Sequence, residues 1–298
     1  MQTFQVEHRD IFLALNGAGE GKFGVVTAIT MQTSRYLEVS ICECTARAGF
    51  EMEVVNTWFQ IVNDSSEVSL VLILATDEGT FSITQYAYIV GDTSSLSDAL
   101  ASIIPFCDMD TFTLIEYSYA DFVSTYIGSI GNDWKDPKLG ITCSLTSIFL
   151  TKPFDFPVVN AIKDLMSNVY IPAAYMVVKS LGRVLAQPTL AERSAFAYRD
   201  AIAAVEVMLG WEPMMPHNFS LSSYDDDPIA AHMRNEWIRK MREHLTAYGK
   251  GAYLNWPDQT FEQPLREYFG NNLETLLDIK QKYDPENWFC HRQSFVEC

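Results

Sequence analysis

One carboxylate in the sequence is a candidate for proton-transfer chemistry. Glu206 is the single charged residue in the run 201–209, whose other members are all apolar. A carboxylate enclosed by apolar side chains is suited to act as a general base next to a substrate. The alternative is an exposed glutamate on an amphipathic helix, because residues 189–192 match a capping box that would begin such a helix. Spacing leaves this choice open, since Tyr198, Ile202 and Glu206 share a face in a strand and in a helix.

A glycine-rich segment near the N-terminus matches two phosphate-binding patterns in its letters alone. Residues 19–24 read GEGKFG, which is the spacing GxGxxG. A dinucleotide-binding loop needs a strand before these glycines and a helix after them. Here a helical turn at 10–15 precedes them and the strand-like residues 25–30 follow, which excludes a Rossmann site. With Val26 the segment also matches the glycine loop of a protein kinase. In a kinase the HRD triplet follows this loop and a DFG triplet comes later, but here HRD stands before the loop, at 8–10, and no DFG is present, which excludes a kinase.

The cysteines and histidines lack the spacing of a metal centre. None of the six cysteines forms a CxxC pair, and Cys42 and Cys44 would point to the same face of a strand. We therefore expect buried free thiols and no bound metal. Four histidines show neither triad-like nor metal-like spacing, and we interpret them as structural or surface groups: His217, His232, His244 and His291.

Composition and charge restrict the class of partner. Of the 298 residues 48% are hydrophobic, enough for a sizeable core, and only 20% are charged, which argues against disorder. The net charge of -17 and the lack of a long basic run exclude a nucleic-acid partner. The most hydrophobic stretch, residues 68–75, is far shorter than the roughly 20 residues of a membrane span. Residues 1–10 do not resemble a signal peptide, and the localisation stays undetermined.

Strand and helix signals alternate irregularly along the chain. Runs of β-branched and apolar residues predict strands over residues 25–30, 38–45, 68–75, 80–90, 141–150 and 175–179, with a hairpin turn at 76–79. Apolar periodicity predicts helices over residues 10–15, 52–62, 94–104, 158–168, 228–248 and 273–283. In the fifth helix Asp227 is a natural N-cap and Gly249 stands where a C′ glycine belongs. Hairpins without regular βαβ units predict an α+β fold with an antiparallel sheet.

Three segments resemble a known enzyme family. Residues 10–27, DIFLALNGAGEGKFGVVT, are similar to the DLFWALRGGGGGNFGVVT stretch of berberine-bridge-enzyme-like FAD-linked oxidoreductases. Residues 252–294 resemble the closing pattern of that family, AYxN followed by YFGxNYxRLxxIKxKYDPxNxFxxxQS. A weaker match, residues 195–206, resembles AFPHRNALFSVQ. Together the three segments frame nearly the whole chain.

The resemblance implies an order of domains. Residues 1–30 would be the tail of an FAD-binding domain, residues 31–245 a substrate domain with an antiparallel sheet and helices on one face, and residues 246–298 a segment returning to the FAD-binding domain. The pyrophosphate loop and flavin-linked histidine of the family precede the DLFWAL stretch, and residues 1–9 contain nothing similar. We therefore expect the C-terminal part of such an enzyme, without the covalent attachment segment and with a missing FAD-binding domain as a candidate partner.

The resemblance also implies site residues. FAD would contact the glycine-rich segment and the AYxN asparagine, that is Gly19, Gly21, Phe23, Gly24, Val25 and Asn255. Glu206 aligns with the glutamate base of plant members that cyclise alkaloids, and Tyr253 would lie near the flavin ring. Other members use a tyrosine base at the position of Trp256, but an indole cannot accept a proton. Glu206 and Tyr253 are therefore the predicted catalytic residues.

The function implied by the resemblance is that of an FAD-linked oxidoreductase of natural-product metabolism. A small natural product, such as an alkaloid, would transfer hydride to the flavin while a carboxylate accepts a proton. Two alternatives stay open: a flavin-free cyclisation catalyst or binding module that keeps the pocket, and an inactive truncated product. Family members are often secreted or in the secretory pathway.

Overall fold

An eight-stranded antiparallel sheet forms the centre of the fold. The computed structural model describes residues 8–19, 21–31, 38–65, 67–77, 80–127, 142–167, 173–187, 189, 192–211, 228–291 and 294–296. The strands are β1 Glu38–Thr45, β2 Ser69–Asp77, β3 Thr80–Val90, β4 Thr113–Ser118, β5 Thr142–Leu150, β6 Ala173–Ser180, β7 Ala203–Trp211 and β8 Gly249–Lys250. They lie in the order β4-β1-β3-β2-β6-β7-β5-β8, and all neighbours are antiparallel. The predicted antiparallel sheet is thus confirmed.

Helices pack on this sheet and at the two ends of the chain. They are α1 Arg9–Leu15, α2 Glu51–Asp64, α3 Thr93–Leu100, α4 Tyr119–Phe122, α5 Phe156–Met166, α6 Pro228–Thr246, α7 Pro264–Phe269 and α8 Leu273–Tyr283. Short 3₁₀-helices cover Ile104–Phe106, Arg183–Ala186 and Gly270–Asn272, and a π-helix covers Val123–Ile127. Within the described ranges, none of the helices combines the length and apolar composition that crossing a membrane requires.

Strand alternation places the main hydrophobic core on one face of the sheet. On β7, Val205 and Val207 are fully buried and belong to the same cluster as Trp58 of α2 and Met241 of α6. Complete burial of an apolar side chain contributes roughly 1.5–3 kcal/mol. This layer therefore holds helices α2, α3, α5 and α6 against the sheet and gives the predicted α+β architecture.

A second hydrophobic cluster joins residues from the two ends of the described chain. We call it the end cluster; it consists of Ile11, Ala14, Ala18, Phe23, Ala195, Ala252, Tyr268, Phe269, Leu273, Leu276, Ile279 and Phe295. The rings of Phe23 and Phe295 lie 5.5 Å apart at its centre. The glycine-rich segment and the C-terminal helices therefore share one core, separate from the main core of the sheet.

A buried lysine ties the end cluster together through hydrogen bonds. Lys280 Nζ donates to the carbonyl of Lys22 at 2.8 Å, the carbonyl of Phe289 at 2.7 Å and the carboxylate of Asp284 at 2.5 Å. Burial opposes the charge of Asp284, but Lys280 and the amides of Phe289 and Trp288 hold its pKa below the ordinary value. The lysine is thus fully paired, as a buried cation must be.

An ion pair at the surface links α8 to α1. Lys282 Nζ lies 2.6 Å from Asp10 Oδ2, and the Tyr283 hydroxyl donates to Asp10 Oδ1 at 2.9 Å. The hydrogen bond from Lys282, more than that from Tyr283, lowers the pKa of Asp10 to about 2. The sequence Lys-Gln-Lys-Tyr-Asp at 280–284 therefore connects the N-terminal helix and the glycine-rich segment to α8.

Three sequence-based expectations about elements were wrong. Residues 25–30 form neither a strand nor a helix, and Val25, Val26 and Ile29 are exposed. β-Branched residues favour a strand only where a partner strand supplies hydrogen bonds and packing. Helix α3 ends at Leu100, several residues before the predicted end. Gly249 does not cap α6, which ends at Thr246.

Gly249 serves a different purpose from helix capping. It begins β8 and pairs with Leu150 of β5. A Cβ atom at this position would overlap the carbonyl group of Phe149. The glycine is therefore needed for close approach of two backbones.

The expectation of free thiols was wrong for Cys44, Cys107 and Cys290. Cys44 of β1 and Cys107 form a disulfide with a Cα–Cα distance of 5.5 Å. Cys290 is also disulfide-bonded, whereas Cys42 and Cys143 are free. The 63-residue separation of Cys44 and Cys107 carries no local signal, so the pairing depends on the tertiary fold.

Candidate active site

Glu206 lies in the middle of the sheet on the face opposite the main core. We call this side of β5, β6 and β7 the open face. In the register, Glu206 is opposite Ser147 of β5 and Val177 of β6. Its neighbours Val205 and Val207 point into the main core, so alternation directs Glu206 to the open face. Only 4% of the residue is exposed; the buried alternative is confirmed and the exposed helix is excluded.

Glu206 is paired with a lysine that the sequence analysis did not identify. Lys179 Nζ lies 2.6 Å from Glu206 Oε2. Lys179 is opposite Ala204 in the register of β6 and β7, which makes it a diagonal neighbour of Glu206. The expectation of a lone carboxylate in apolar surroundings was therefore wrong. A buried carboxylate keeps its charge only when a partner compensates the loss of hydration, and Lys179 provides that compensation.

The AYxN segment lies next to this ion pair. The backbone N–H of Tyr253 donates to Ser147 Oγ at 2.8 Å, and Ser147 is the direct register neighbour of Glu206. Trp256 follows in a turn and its ring centroid is 5.8 Å from Lys179 Nζ, within cation–π range. The structure therefore brings both predicted catalytic residues, Glu206 and Tyr253, to one part of the open face.

Asn255 contacts Tyr253 and stays accessible. Its amide Nδ2 donates to the Tyr253 hydroxyl oxygen at 2.9 Å, and the residue is exposed. Tyr253 is half-buried, with its ring in edge contact with Phe149 at a centroid distance of 6.4 Å. The phenol is thus oriented by Phe149 on one side and by the Asn255 amide at its oxygen.

A tyrosine and an arginine hold the AYxN segment in place. Gly251 has φ of +62°, and a Cβ there would overlap the ring of Tyr198. Burial raises the pKa of Tyr198 to about 12, and its hydroxyl donates to the Glu267 carbonyl. Arg242 donates to the carbonyls of Ser147 and Gly251 and pairs with the Glu267 carboxylate at 2.8 Å. No local pattern in the sequence identified Arg242, whose partners come from three separate elements.

The predicted cofactor contacts of the glycine-rich segment line two cavities. One, of about 330 Å³, is lined by Leu15, Gly19, Gly21, Lys22, Phe23, Gly24 and Val26. The other, of about 520 Å³, includes Val25 together with α1. Gly19 has φ of +81° and lies so close to the AYxN segment that a Cβ would stand 2.5 Å from Leu254 Cδ1. This contact links the glycine-rich segment to the residues that flank the open face.

These cavities have features that fit the edge of a flavin. No atom lies within 4 Å of the position that a Cβ of Gly24 would take, so the backbone there is open to a planar ring. Val25 is 76% exposed and offers an apolar contact. The described residues that line the two cavities include no carboxylate. Phe23 differs from the others, because its ring is buried in the end cluster and leaves mainly its backbone for a ligand.

Metal chemistry has no support in the residues described. No cluster of three or more histidine, cysteine, aspartate or glutamate side chains suited to a metal ion occurs among them. Among the histidines interpreted as structural or surface groups, His291 lies near Gly21: its Cδ2 is 3.5 Å from the position that a Cβ would take at that glycine. His217 lies outside the described residues.

Comparisons with known proteins agree with this geometry. The family model described as "Berberine and berberine like" matches residues 252–295. An uncharacterized FAD-linked oxidoreductase of Bacillus subtilis (strain 168), YgaK, is 26% identical over 287 residues, which cover 96% of this chain and 59% of the relative. The monolignol oxidoreductase AtBBE-like 13 of Arabidopsis thaliana is 22% identical, with 96% of this chain and 56% of the relative covered.

The fold is similar to that of a solved enzyme. The structure of berberine bridge enzyme from Eschscholzia californica matches with a TM-score of 0.77 and 16% identity, covering 97% of this chain and 61% of that one. The chain thus spans about 59% of the length of the Bacillus relative. The family-model match over residues 252–295, the similarity to FAD-linked oxidoreductases along nearly the whole chain and the shared fold together support a berberine-bridge-enzyme-like FAD-linked oxidoreductase.

Proposed function

We propose that the chain forms the substrate-binding and proton-accepting part of an FAD-linked oxidoreductase of natural-product metabolism. The observation that carries the proposal is the buried, ion-paired Glu206 on the open face beside Tyr253. In this proposal residues 31–245 form the substrate side of the site. Residues 1–30 and 246–298, which meet in the end cluster, form the flavin side.

The residues proposed to hold the flavin are those around the smaller cavity. Gly19, Gly21 and Gly24 would offer backbone groups, and Val25 and Asn255 would contact the ring system. The positive φ angles of Gly19 and Gly21 expose backbone where a side chain would otherwise stand. When bound, the flavin supplies the hydride acceptor of the reaction.

Glu206 is proposed to accept the proton that leaves the substrate during oxidation. Lys179, 2.6 Å from the carboxylate, compensates its charge in the otherwise apolar β7 environment. Tyr253 is proposed to orient the substrate through its hydroxyl, which Asn255 holds by a hydrogen bond. Trp256 lies beside the ion pair on the side of the AYxN segment, with its ring centroid 5.8 Å from Lys179 Nζ.

The experiment that tests the proposal is anaerobic reduction of bound flavin by candidate substrates. The protein is loaded with FAD in the presence of an FAD-binding domain, its candidate partner, and is mixed with a monolignol, the compound class for which the Arabidopsis relative is named. We expect loss of the visible absorption of oxidised flavin at a rate that saturates with substrate. Flavin that is bound but is reduced by neither the monolignol nor other oxygenated aromatic compounds would contradict the proposal and favour a binding module.

A further inference from the structure

The two members of the Lys179–Glu206 pair differ in accessibility. The side chain of Lys179 is 45% exposed, whereas that of Glu206 is 5% exposed. The ammonium is therefore the more accessible charge of the pair for any molecule that settles on the open face. Trp256 contacts the same ammonium, and its half-buried indole forms a wall of the space in front of it.

No second charge competes with this ammonium on the neighbouring strands. By strand alternation, Lys179 and Glu206 are the two charged residues that the described parts of β5, β6 and β7 direct to the open face. Two further ion pairs among the described residues involve partners close to β5: Arg242 with Glu267, and Lys250 with Asp200.

Apart from Ser147, the remaining residues that β5, β6 and β7 direct to this part of the face are aromatic or apolar. Tyr175 and Val177 of β6 stand beside Met208 and Glu206 of β7, and Tyr253 lies beyond β5. A flat aromatic ring fits such a surface, because aromatic pairs gain energy beyond simple burial. A polar group on that ring would contact the Lys179 ammonium, the more accessible charge of the pair, beside the Glu206 carboxylate.

We propose that Lys179 determines substrate class by selecting aromatic compounds that carry an oxygen anion or a hydroxyl group and by disfavouring cationic amines. The inference rests on the proposed function, because it names the substrate of the same site. The ammonium donates a charge-assisted hydrogen bond to a phenolate, carboxylate or alcohol oxygen. A protonated amine is repelled by Lys179, while Glu206, which would attract it, is already neutralised at 2.6 Å. An alkaloid amine, the example that the family resemblance suggested, is thus a poor match for this pair.

Equilibrium binding tests this inference without turnover. Three probes share a phenylpropyl group and differ in their terminal group: phenylpropionate, phenylpropanol and phenylpropylamine. Binding to the full chain is followed by tryptophan fluorescence near neutral pH, and Trp256→Phe identifies which part of the signal comes from the site. We expect the carboxylate and the alcohol to bind about tenfold or more tightly than the amine, the effect of one charge-assisted hydrogen bond.

Variants of the pair give opposite results if the inference is right. Lys179→Met should reverse the order, so that the amine binds more tightly than the carboxylate, because Glu206 is left unpaired. Lys179→Arg should keep the wild-type order. Glu206→Gln should bind the carboxylate probe more tightly than the wild-type chain does, because the Lys179 ammonium loses its partner. This second variant tests the inference even if Lys179→Met does not fold.

Two outcomes would overturn the inference. One is equal binding of the three probes to the wild-type chain, or no saturable signal with any of them. The other is an order of affinities that Lys179→Met and Glu206→Gln leave unchanged. Because no step depends on flavin, selective probe binding without flavin reduction would contradict the proposed oxidase function alone.

Discussion

Replacement of Lys280 by methionine should destabilise the protein far more than the same replacement two residues later. Lys280 is buried, and its ammonium donates three hydrogen bonds of 2.5–2.8 Å. Methionine fills a similar volume but leaves the buried Asp284 without its cation and the Lys22 and Phe289 carbonyls without this donor. Breaking a buried pair by removing one partner costs about 3–5 kcal/mol.

The matched control is Lys282→Met. Lys282 also pairs with an aspartate, at 2.6 Å, but its side chain is 62% exposed. Exposed ion pairs contribute about 0–1 kcal/mol because water and salt screen them. Urea unfolding followed by fluorescence measures both variants, and the Lys280 variant should lose at least twice as much unfolding free energy as the control. Equal losses in the two variants would refute the reasoning that burial of Lys280 sets the size of its contribution to stability.

Two further predictions concern the AYxN segment and α1. Gly251→Ala should lower the free energy of unfolding by several kcal/mol and displace Tyr253, because the new Cβ would overlap the Tyr198 ring. Gly49→Ala is the control: Gly49 has φ of +86° with open space around it, and the change should lower the free energy of unfolding by only about 1–2 kcal/mol. The pKa of Asp10 is lowered to about 2 in the folded state. The contribution of its ionised carboxylate to the free energy of unfolding is therefore present above the unfolded pKa and is lost as pH falls through the folded pKa. The urea stability of wild type should therefore exceed that of Asp10→Asn at pH 5 and above, and the difference should shrink as pH falls from about 4 through 2. A difference at pH 2 as large as that at pH 5 would contradict a contribution from the ionised Asp10 carboxylate.

Elements with strong local signals could be predicted closely from the sequence. β1 runs over Glu38–Thr45 and α8 over Leu273–Tyr283, the predicted bounds in both cases. β1 is a short run with many apolar residues, a composition that favours a strand. α8 ends before the Asp-Pro pair at 284–285, where continuation of a helix is disfavoured. Here local preference and tertiary structure agree, so the sequence alone was sufficient.

The features that the sequence analysis missed depend on which strands become neighbours. Lys179 reaches Glu206 only because β6 and β7 pair with one particular register. A shift by one residue would send one of the two side chains into the main core. The Cys44–Cys107 disulfide likewise depends on the position of the loop after α3 relative to β1. Sequence spacing carries no information on either contact.

The site residues divide in the same way into those that the sequence predicted and those that it did not. Glu206 was recognised from its apolar run, and the structure places it on a buried strand. The glycine-rich segment and the AYxN segment were assigned to the flavin side by resemblance, and contact between Gly19 and Leu254 joins them. The supporting residues Arg242 and Tyr198 could not be found in advance, because each acts through contacts with distant parts of the chain.

The measurement that tests the central claim most directly is the rate of flavin reduction in Glu206→Gln. Glutamine keeps the shape of the side chain and removes its ability to accept a proton, so the rate at saturating substrate should fall by about 10²–10⁴-fold. Glu43→Gln is the matched control, since Glu43 is on β1, four strands from β7, and accepts a hydrogen bond from Tyr86 at 2.9 Å. That variant should reduce flavin at the wild-type rate. A Glu206→Gln rate within about threefold of wild type would show that Glu206 is not the base.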